Sequence, residues 1–168
     1  MYCRKAEKRT PLEEKYILAI GEALWDRRVR LGMSQEKLAF MVCTSAHTIA
    51  NYESALVSPT IPVLNCIAKP LGISLAELLT GEKSEKDFYT SSVDIGKRIR
   101  EAREKLGWTV NKLCYNARLS WKTIHNYEHA YSYQKIDKLL RIAETLDVQF
   151  LWLLTGEGEP SPFSFPAV

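Results

Sequence analysis

The sequence Ser-Gln-Glu-Lys-Leu-Ala-Phe-Met at positions 34–41 is followed, after three residues, by Ser-Ala-His-Thr-Ile-Ala-Asn-Tyr-Glu at 45–53. Ser34 and Ser45 are residue types that cap helix N-termini, because a serine hydroxyl accepts a hydrogen bond from a backbone N–H of the first turn. Each segment is short and carries no proline or glycine. The stretch therefore predicts two short helices that are joined by a tight turn.

The same pattern returns 75 residues later. When residues 20–82 are laid over residues 95–157 without a gap, 24 of the 63 aligned positions are identical. Thr109 and Ser120 take the two capping positions in the second copy. A period this long is a whole small domain rather than one unit of a solenoid. The chain is therefore expected to contain two copies of one module, each large enough for a small helical core.

Each copy is expected to have five short helices and no sheet, because no stretch alternates apolar and polar residues. Helix 1 is predicted from about Ile17 to Leu31 with a buried face that includes both residues, and helix 4 is predicted to open near Thr60 and Tyr133. Pro70 is expected to kink or shorten its helix. The predicted boundaries are a basic tail (1–16), copy 1 (17–82), a linker (83–92), copy 2 (93–157) and a proline-rich tail (158–168) that is expected to be disordered.

Composition narrows the class of protein. The formal net charge is +3; residues 93–157 hold eleven Lys and Arg against eight Asp and Glu. That excess suits a phosphate backbone, although a solvated surface would also account for it. No apolar run approaches the length of a membrane span, so a cytoplasmic protein without a membrane partner is expected. The four cysteines are far apart, which argues against a zinc site or a disulfide framework, and Cys66 and Cys114 are expected to be buried.

Two short helices with a tight turn form a helix-turn-helix signal. Several strings in both copies closely resemble the Cro/C1-type (XRE-like) DNA-binding domain of phage and bacterial repressors. The strings are Leu31-Gly32-Met33-Ser34-Gln35, Ser45-Ala46-His47-Thr48-Ile49, Asn51-Tyr52-Glu53, Leu71-Gly72-Ile73-Ser74, Ile95-Gly96-Lys97-Arg98, Asn126-Tyr127-Glu128 and Trp152-Leu153-Leu154-Thr155-Gly156-Glu157. The resemblance implies two tandem lambda-repressor-like domains and a transcriptional regulator of double-stranded DNA, most simply a repressor from a phage or other mobile element.

In copy 1, the resemblance assigns DNA contact to the start of helix 2 and to the outward face of helix 3. These positions are Gln35, Ser45, Ala46, His47, Thr48, Ala50 and Asn51. Asn51 and His47 are the expected base readers, because Asn can bond adenine bidentately and His can donate to guanine. Small residues at 46 and 50 would allow a close approach. The alternative for His47 is an ordinary solvated helix residue.

Copy 2 departs from this pattern, since Val110 replaces Gln35 and bulky side chains replace both alanines. Its candidate DNA contacts are Arg118, Ser120, Trp121, Lys122, His125 and Asn126. Two interpretations remain open: retained DNA binding, or an aromatic patch for dimerisation. The resemblance also implies an internal ion pair in each copy, Arg28 with Glu53 and Arg103 with Glu128.

No catalytic motif, metal ligand set or cofactor loop is present in the sequence, so no enzyme, metal or cofactor is expected. A homodimer is expected, and a protein antirepressor or other partner is left open. The alternative function from another class is a protein-interaction module, antitoxin-like or regulator-binding, in which copy 2 serves dimerisation or partner binding.

Overall fold

The computed structural model describes residues 8–80 and 91–157. Those residues form ten helices and no strand: α1 (Pro11–Arg30), α2 (Gln35–Met41), α3 (Ala46–Glu53), α4 (Ile61–Leu71), α5 (Leu75–Thr80), α6 (Ser92–Lys105), α7 (Val110–Ala117), α8 (Trp121–Glu128), α9 (Ile136–Leu146) and α10 (Phe150–Thr155). The described residues fall into two compact units, 14–80 and 91–157, with residues 8–13 assigned to the second. The prediction of two all-α, five-helix copies is confirmed.

The helix caps follow the sequence pattern. The hydroxyl groups of Ser34 and Thr109 accept hydrogen bonds from the N–H groups of Lys37 and Lys112. Helices α3 and α8, and likewise α4 and α9, start and end at positions 75 residues apart. Pro70 lies inside α4 without shortening it, since α4 and α9 both have 11 residues. The expected opening near Tyr133 was wrong, because α9 begins at Ile136.

Helix α1 begins six residues before the expected start. Thr10 and Glu13 form a reciprocal capping box, in which the Thr10 N–H donates to the Glu13 carboxylate and the Glu13 N–H donates to the Thr10 hydroxyl. The extra turns bury Tyr16, whose hydroxyl donates to the Leu79 carbonyl oxygen at the end of α5. Residues 11–16 are therefore helix rather than tail, while residues 1–7, the linker at 81–90 and the tail at 158–168 lie outside the described residues.

Two further expectations about burial were wrong. Leu31 lies beyond the end of α1 and is exposed, because the helix stops at Arg30 before the apolar face returns to the core. Cys66 is exposed and Cys114 is half-buried. Cys66 comes two positions after the buried Leu64, so it lies on the other side of α4. Ile17, Ile20 and Leu24 do form the expected buried face of α1.

Glycines at matching positions let the first helix of each copy press against the end of the third. A Cβ atom on Gly21 would lie 2.6 Å from the Glu53 carbonyl oxygen, and one on Gly96 would lie 2.5 Å from that of Tyr127. Both distances are shorter than real Cβ contacts. The backbones of the two helices therefore touch directly, and this contact fixes where α3 and α8 stand in their copies.

Candidate nucleic-acid interface

The tight turn before each third helix uses a left-handed residue that is not glycine. Cys43 has φ 54° and Arg118 has φ 51°, a conformation that costs an L-residue about 1–2 kcal/mol. The chain then reverses within a few residues into Ser45 or Ser120. Each serine hydroxyl accepts from a backbone N–H of the third helix, that of Thr48 or Thr123.

The hydroxyls of Ser45 and Thr48 also lie 2.8 Å apart, as do those of Ser120 and Thr123. The side chains of these predicted contact residues therefore form hydrogen bonds within the first turn of α3 and of α8. In this structure, Ser45 and Ser120 therefore set the direction in which α3 and α8 leave the turn.

Helix α3 presents the outward face that the sequence predicts. Ile49 is buried in the core of copy 1, whereas His47 is exposed and Ala46, Ala50 and Asn51 are half-exposed. The four residues lie on one side of the helix because they are spaced by one, three and four positions. Tyr52 is only half-buried, and burial raises the pKa of its hydroxyl.

Both internal ion pairs are present in the structure. Arg28 Nε and Nη2 donate to the two carboxylate oxygens of Glu53 at 2.5 and 2.8 Å. Arg103 donates to Glu128 in the same way, at 2.6 and 2.9 Å. The remaining guanidinium nitrogens bond the carbonyl oxygens of Met33 and Trp108. Hydrogen bonding to the partner carboxylate raises the pKa of both arginines. Each pair thus ties the first helix to the end of the third and to the loop between the first two helices.

The environment of the two glutamates differs between copies. Gln35 Nε2 donates to Glu53 Oε2 at 2.8 Å, so this amide, expected to contact DNA, is held within the protein. In copy 2 the aligned residue is Val110, and Arg100 Nε lies 3.8 Å from Glu128 Oε2 instead. The Glu53 carboxylate thus has an amide beside its arginine, whereas the Glu128 carboxylate has a second arginine.

Copy 2 carries a column of aromatic rings where copy 1 has small residues on its third helix. Trp121 stacks on His125 with ring centroids 4.3 Å apart and an interplanar angle of 13°. His125 lies 4.2 Å from His129, and His129 stacks on Tyr131 at 5.5 Å. The column extends past the C-terminal end of α8 to Tyr131, which the sequence places with Trp121 and Tyr133 in the aromatic patch proposed for dimerisation.

Hydrogen bonds fix the tautomer of His129. Its Nδ1 lies 2.9 Å from the carbonyl oxygen of His125, which can only accept. Its Nε2 lies 3.1 Å from Arg100 Nη2, which can only donate. The ring hydrogen is therefore on Nδ1, and Arg100 links the column to the Glu128 carboxylate.

The other predicted contacts of copy 2 lie beside this column. Arg118 and Lys122 are exposed at the turn and in the first turn of α8, and Asn126 is half-exposed.

Within residues 8–80 and 91–157, no three His, Cys, Asp or Glu side chains cluster in a way that could hold a metal ion. In those same ranges, no helix has the length and apolar content needed to cross a membrane.

Family models match both copies. A model described as "Helix-turn-helix" covers residues 26–78, and one described as "Helix-turn-helix domain" covers residues 96–159. The two matched segments contain the two candidate interfaces. Both copies are therefore helix-turn-helix DNA-binding domains, of the kind used in transcription regulation. Each copy thus contains an XRE-like helix-turn-helix domain.

Among solved structures, the chain is similar to the restriction-modification controller protein C.AhdI from Aeromonas hydrophila. The sequences are 24% identical, the match covers 38% of this chain and 96% of that one, and the TM-score is 0.37. The likeness thus spans the length of one copy. No curated protein matches the chain significantly.

Proposed function

We propose that the protein is a sequence-specific regulator of transcription that reads double-stranded DNA with helix α3 of copy 1 in the major groove. The observation that carries this proposal is the outward face of α3, where Asn51 stands beside the small side chains of Ala46 and Ala50. The major groove admits an α-helix, and small side chains such as Ala46 and Ala50 let the helix come close to the base edges.

The chemistry of that face suits base readout. A carboxamide such as that of Asn51 can donate to and accept from adenine N6 and N7 together, and a His47 ring nitrogen can donate to guanine. Residues 43–61 contain no Lys or Arg. Copy 1 therefore brings few charges to the phosphates at this helix, so its binding should depend on base contacts and on shape.

The support of α3 is rigid, which favours this role. The Arg28–Glu53 pair, the Gln35 amide and the close contact at Gly21 all meet the end of α3. Base readout needs side chains held in a fixed position, and a reading helix anchored at its C-terminal end satisfies that need.

We further propose that the protein is a repressor of phage or mobile-element origin that acts in the cytoplasm without enzymatic activity. Occupying DNA is sufficient for repression, and the described residues supply two DNA-binding domains. The origin rests on the resemblance of Trp152–Glu157 to the end of a phage repressor headpiece.

A homodimer is proposed from the outer face of α1. Leu18, Trp25 and Val29 are exposed there, at spacings of seven and four residues, and together they form an apolar strip along one side of the helix. The aligned residues of copy 2 are Val93, Arg100 and Glu104, so two of the three positions are charged. The strip also favours the second candidate function, a protein-interaction module in which a protein rather than DNA is the main ligand.

Selection from a pool of random duplexes with the full chain tests the proposed function. A defined motif should be enriched, and its affinity should exceed that for random duplex by about 10³ or more at physiological salt. Enrichment without any motif, or no binding to duplex DNA, would favour the protein-interaction module.

Sedimentation of the wild type and of Trp25→Arg, which introduces the copy 2 residue, tests the dimer: only the variant should be monomeric.

A further inference from the structure

The outward face of α8 differs in kind from that of α3, although both helices have eight residues and a serine N-cap. Trp121, His125, His129 and Tyr131 align with Ala46, Ala50, Ser54 and Leu56. The rings rest on one another, so the column is a preformed surface rather than four independent side chains. Its two end members are exposed, Trp121 to 52% and Tyr131 to 71%.

The segment that carries the column has more basic than acidic residues. Between positions 118 and 136 the cations are Arg118, Lys122 and Lys135, all exposed. The single acid in that segment is Glu128, which is buried and bonded to Arg103. A ligand of this surface therefore meets rings and cations without an exposed carboxylate from the segment. This combination complements a molecule with flat π-systems and a negatively charged backbone.

Duplex DNA does not offer those flat faces. Its grooves present base edges, and the faces of the bases are covered by their neighbours in the stack. Trp121 also occupies the first position of α8, where copy 1 has Ala46 and can approach base edges closely. Unpaired bases do expose their faces, and aromatic side chains stack on them without regard to sequence.

The structure also has space beside the column. An open depression of about 650 Å³ adjoins the start of α8. It is lined by Cys114, Tyr115, Asn116, Arg118, Leu119 and Ser120. Tyr115 is 83% exposed, so the depression offers a further aromatic side chain together with the Arg118 cation.

We propose that copy 2 binds single-stranded nucleic acid on this surface, with unpaired bases stacking on Trp121 and Tyr131 and the backbone following Arg118 and Lys122. The site goes beyond the duplex reading proposed for α3. It would let one chain hold a duplex site with copy 1 and an unpaired strand with copy 2.

Fluorescence anisotropy of the full chain tests this site, with a labelled oligo(dT) of about 12 nucleotides and a duplex of equal length and random sequence. The wild type should bind oligo(dT) more tightly than the random duplex. Trp121→Ala should weaken oligo(dT) binding by about 5- to 150-fold, the range expected when one stacked base is lost, and Trp121→Phe should retain most of it. Phe40→Ala, which removes an exposed ring of copy 1, should leave oligo(dT) binding unchanged.

Thermal melting checks that copy 2 stays folded, and Tyr131→Ala gives a second variant at the other end of the column. If Trp121→Ala weakened binding to the duplex but not to oligo(dT), the proposal would be overturned and α8 would be a duplex reader. If Trp121→Ala lost self-association and bound oligo(dT) as the wild type does, the proposal would be overturned in favour of a protein interface. Asn51→Ala should affect only the selected duplex, so the duplex and single-strand proposals can fail separately.

Discussion

Gln35 and Glu53 are joined by a 2.8 Å hydrogen bond from the side-chain amide to a carboxylate oxygen. The same carboxylate receives both donors of the Arg28 fork. Gln35 therefore connects the first residue of α2 with the last residue of α3, the two ends that define the helix-turn-helix of copy 1. In the free protein this residue has a structural role, and the DNA contact that the sequence predicts for it stays a prediction.

Replacing Gln35 with Val, the residue that copy 2 has at this position, should destabilise copy 1 by about 1.5–3 kcal/mol, since a hydrogen bond to a charged group is lost. The melting transition of copy 1 should move to lower temperature while that of copy 2 stays in place. Lys37→Ala, at an exposed position of the same helix, is the control. If both transitions are unaffected by Gln35→Val, the hydrogen bond contributes nothing measurable.

The ion pairs should contribute more. Glu53→Ala or Glu128→Ala leaves an arginine without its partner in a largely buried position, which costs about 3–5 kcal/mol. Each variant should lower the melting temperature of its own copy. Asp26→Ala removes an exposed pair with Arg30 and should cost about 1 kcal/mol or less. If Asp26→Ala and Glu53→Ala lowered the free energy of unfolding equally, the buried pair would contribute no more to stability than the exposed pair.

Gly96 offers a test of helix contact. Glycine to alanine inside a helix normally stabilises by about 0.5–1 kcal/mol. Here a Cβ atom would lie 2.5 Å from a backbone oxygen of α8, so Gly96→Ala should destabilise copy 2 by about 1–3 kcal/mol. Denaturant unfolding measures the sign. Lys97→Ala is the exposed control, and a stabilised Gly96→Ala protein would contradict the close contact.

Cysteine reactivity should follow the exposure seen in the structure. Cys43 and Cys66 are exposed, whereas Cys114 is half-buried and burial raises the pKa of its thiol. Since the thiolate is the reactive form, iodoacetamide should alkylate Cys114 more slowly than the other two near pH 8. Peptide mass spectrometry over time measures the order, with denatured protein as the control. Rapid labelling of Cys114 would mean that α7 opens readily.

Much of the fold could be predicted because its determinants are local. The serine and threonine caps and the glycines after the first helices depend on a few neighbouring residues, and the 75-residue repeat shows the same caps and glycines twice. The Thr10-Pro11-Leu12-Glu13 capping box is equally local and would have given the true start of α1. Leu31 and Cys66 were wrongly placed because burial at a helix end depends on how that end packs in three dimensions.

The candidate site was harder to predict where it depends on contacts between distant residues. Spacing of four positions already suggests that Trp121, His125 and His129 share one face. The bond between Gln35 and Glu53 and the link from Arg100 to His129 join separate helices, and neither has a pattern in the sequence. The resemblance to a known family supplied the ion pairs, whereas it gave no expectation for the ring column.

The most direct test of the account compares the wild type with Asn51→Ala on two duplexes, the selected site and a random sequence, at fixed salt. Asn51→Ala should lose about 1–3 kcal/mol of binding free energy on the selected site and much less on the random duplex, because a base contact carries sequence information and a phosphate contact does not. Asn65→Ala, at a half-exposed position of α4 in the same copy, is the matched control. Equal losses on both duplexes, or no loss on either, would contradict the claim that α3 reads the DNA sequence.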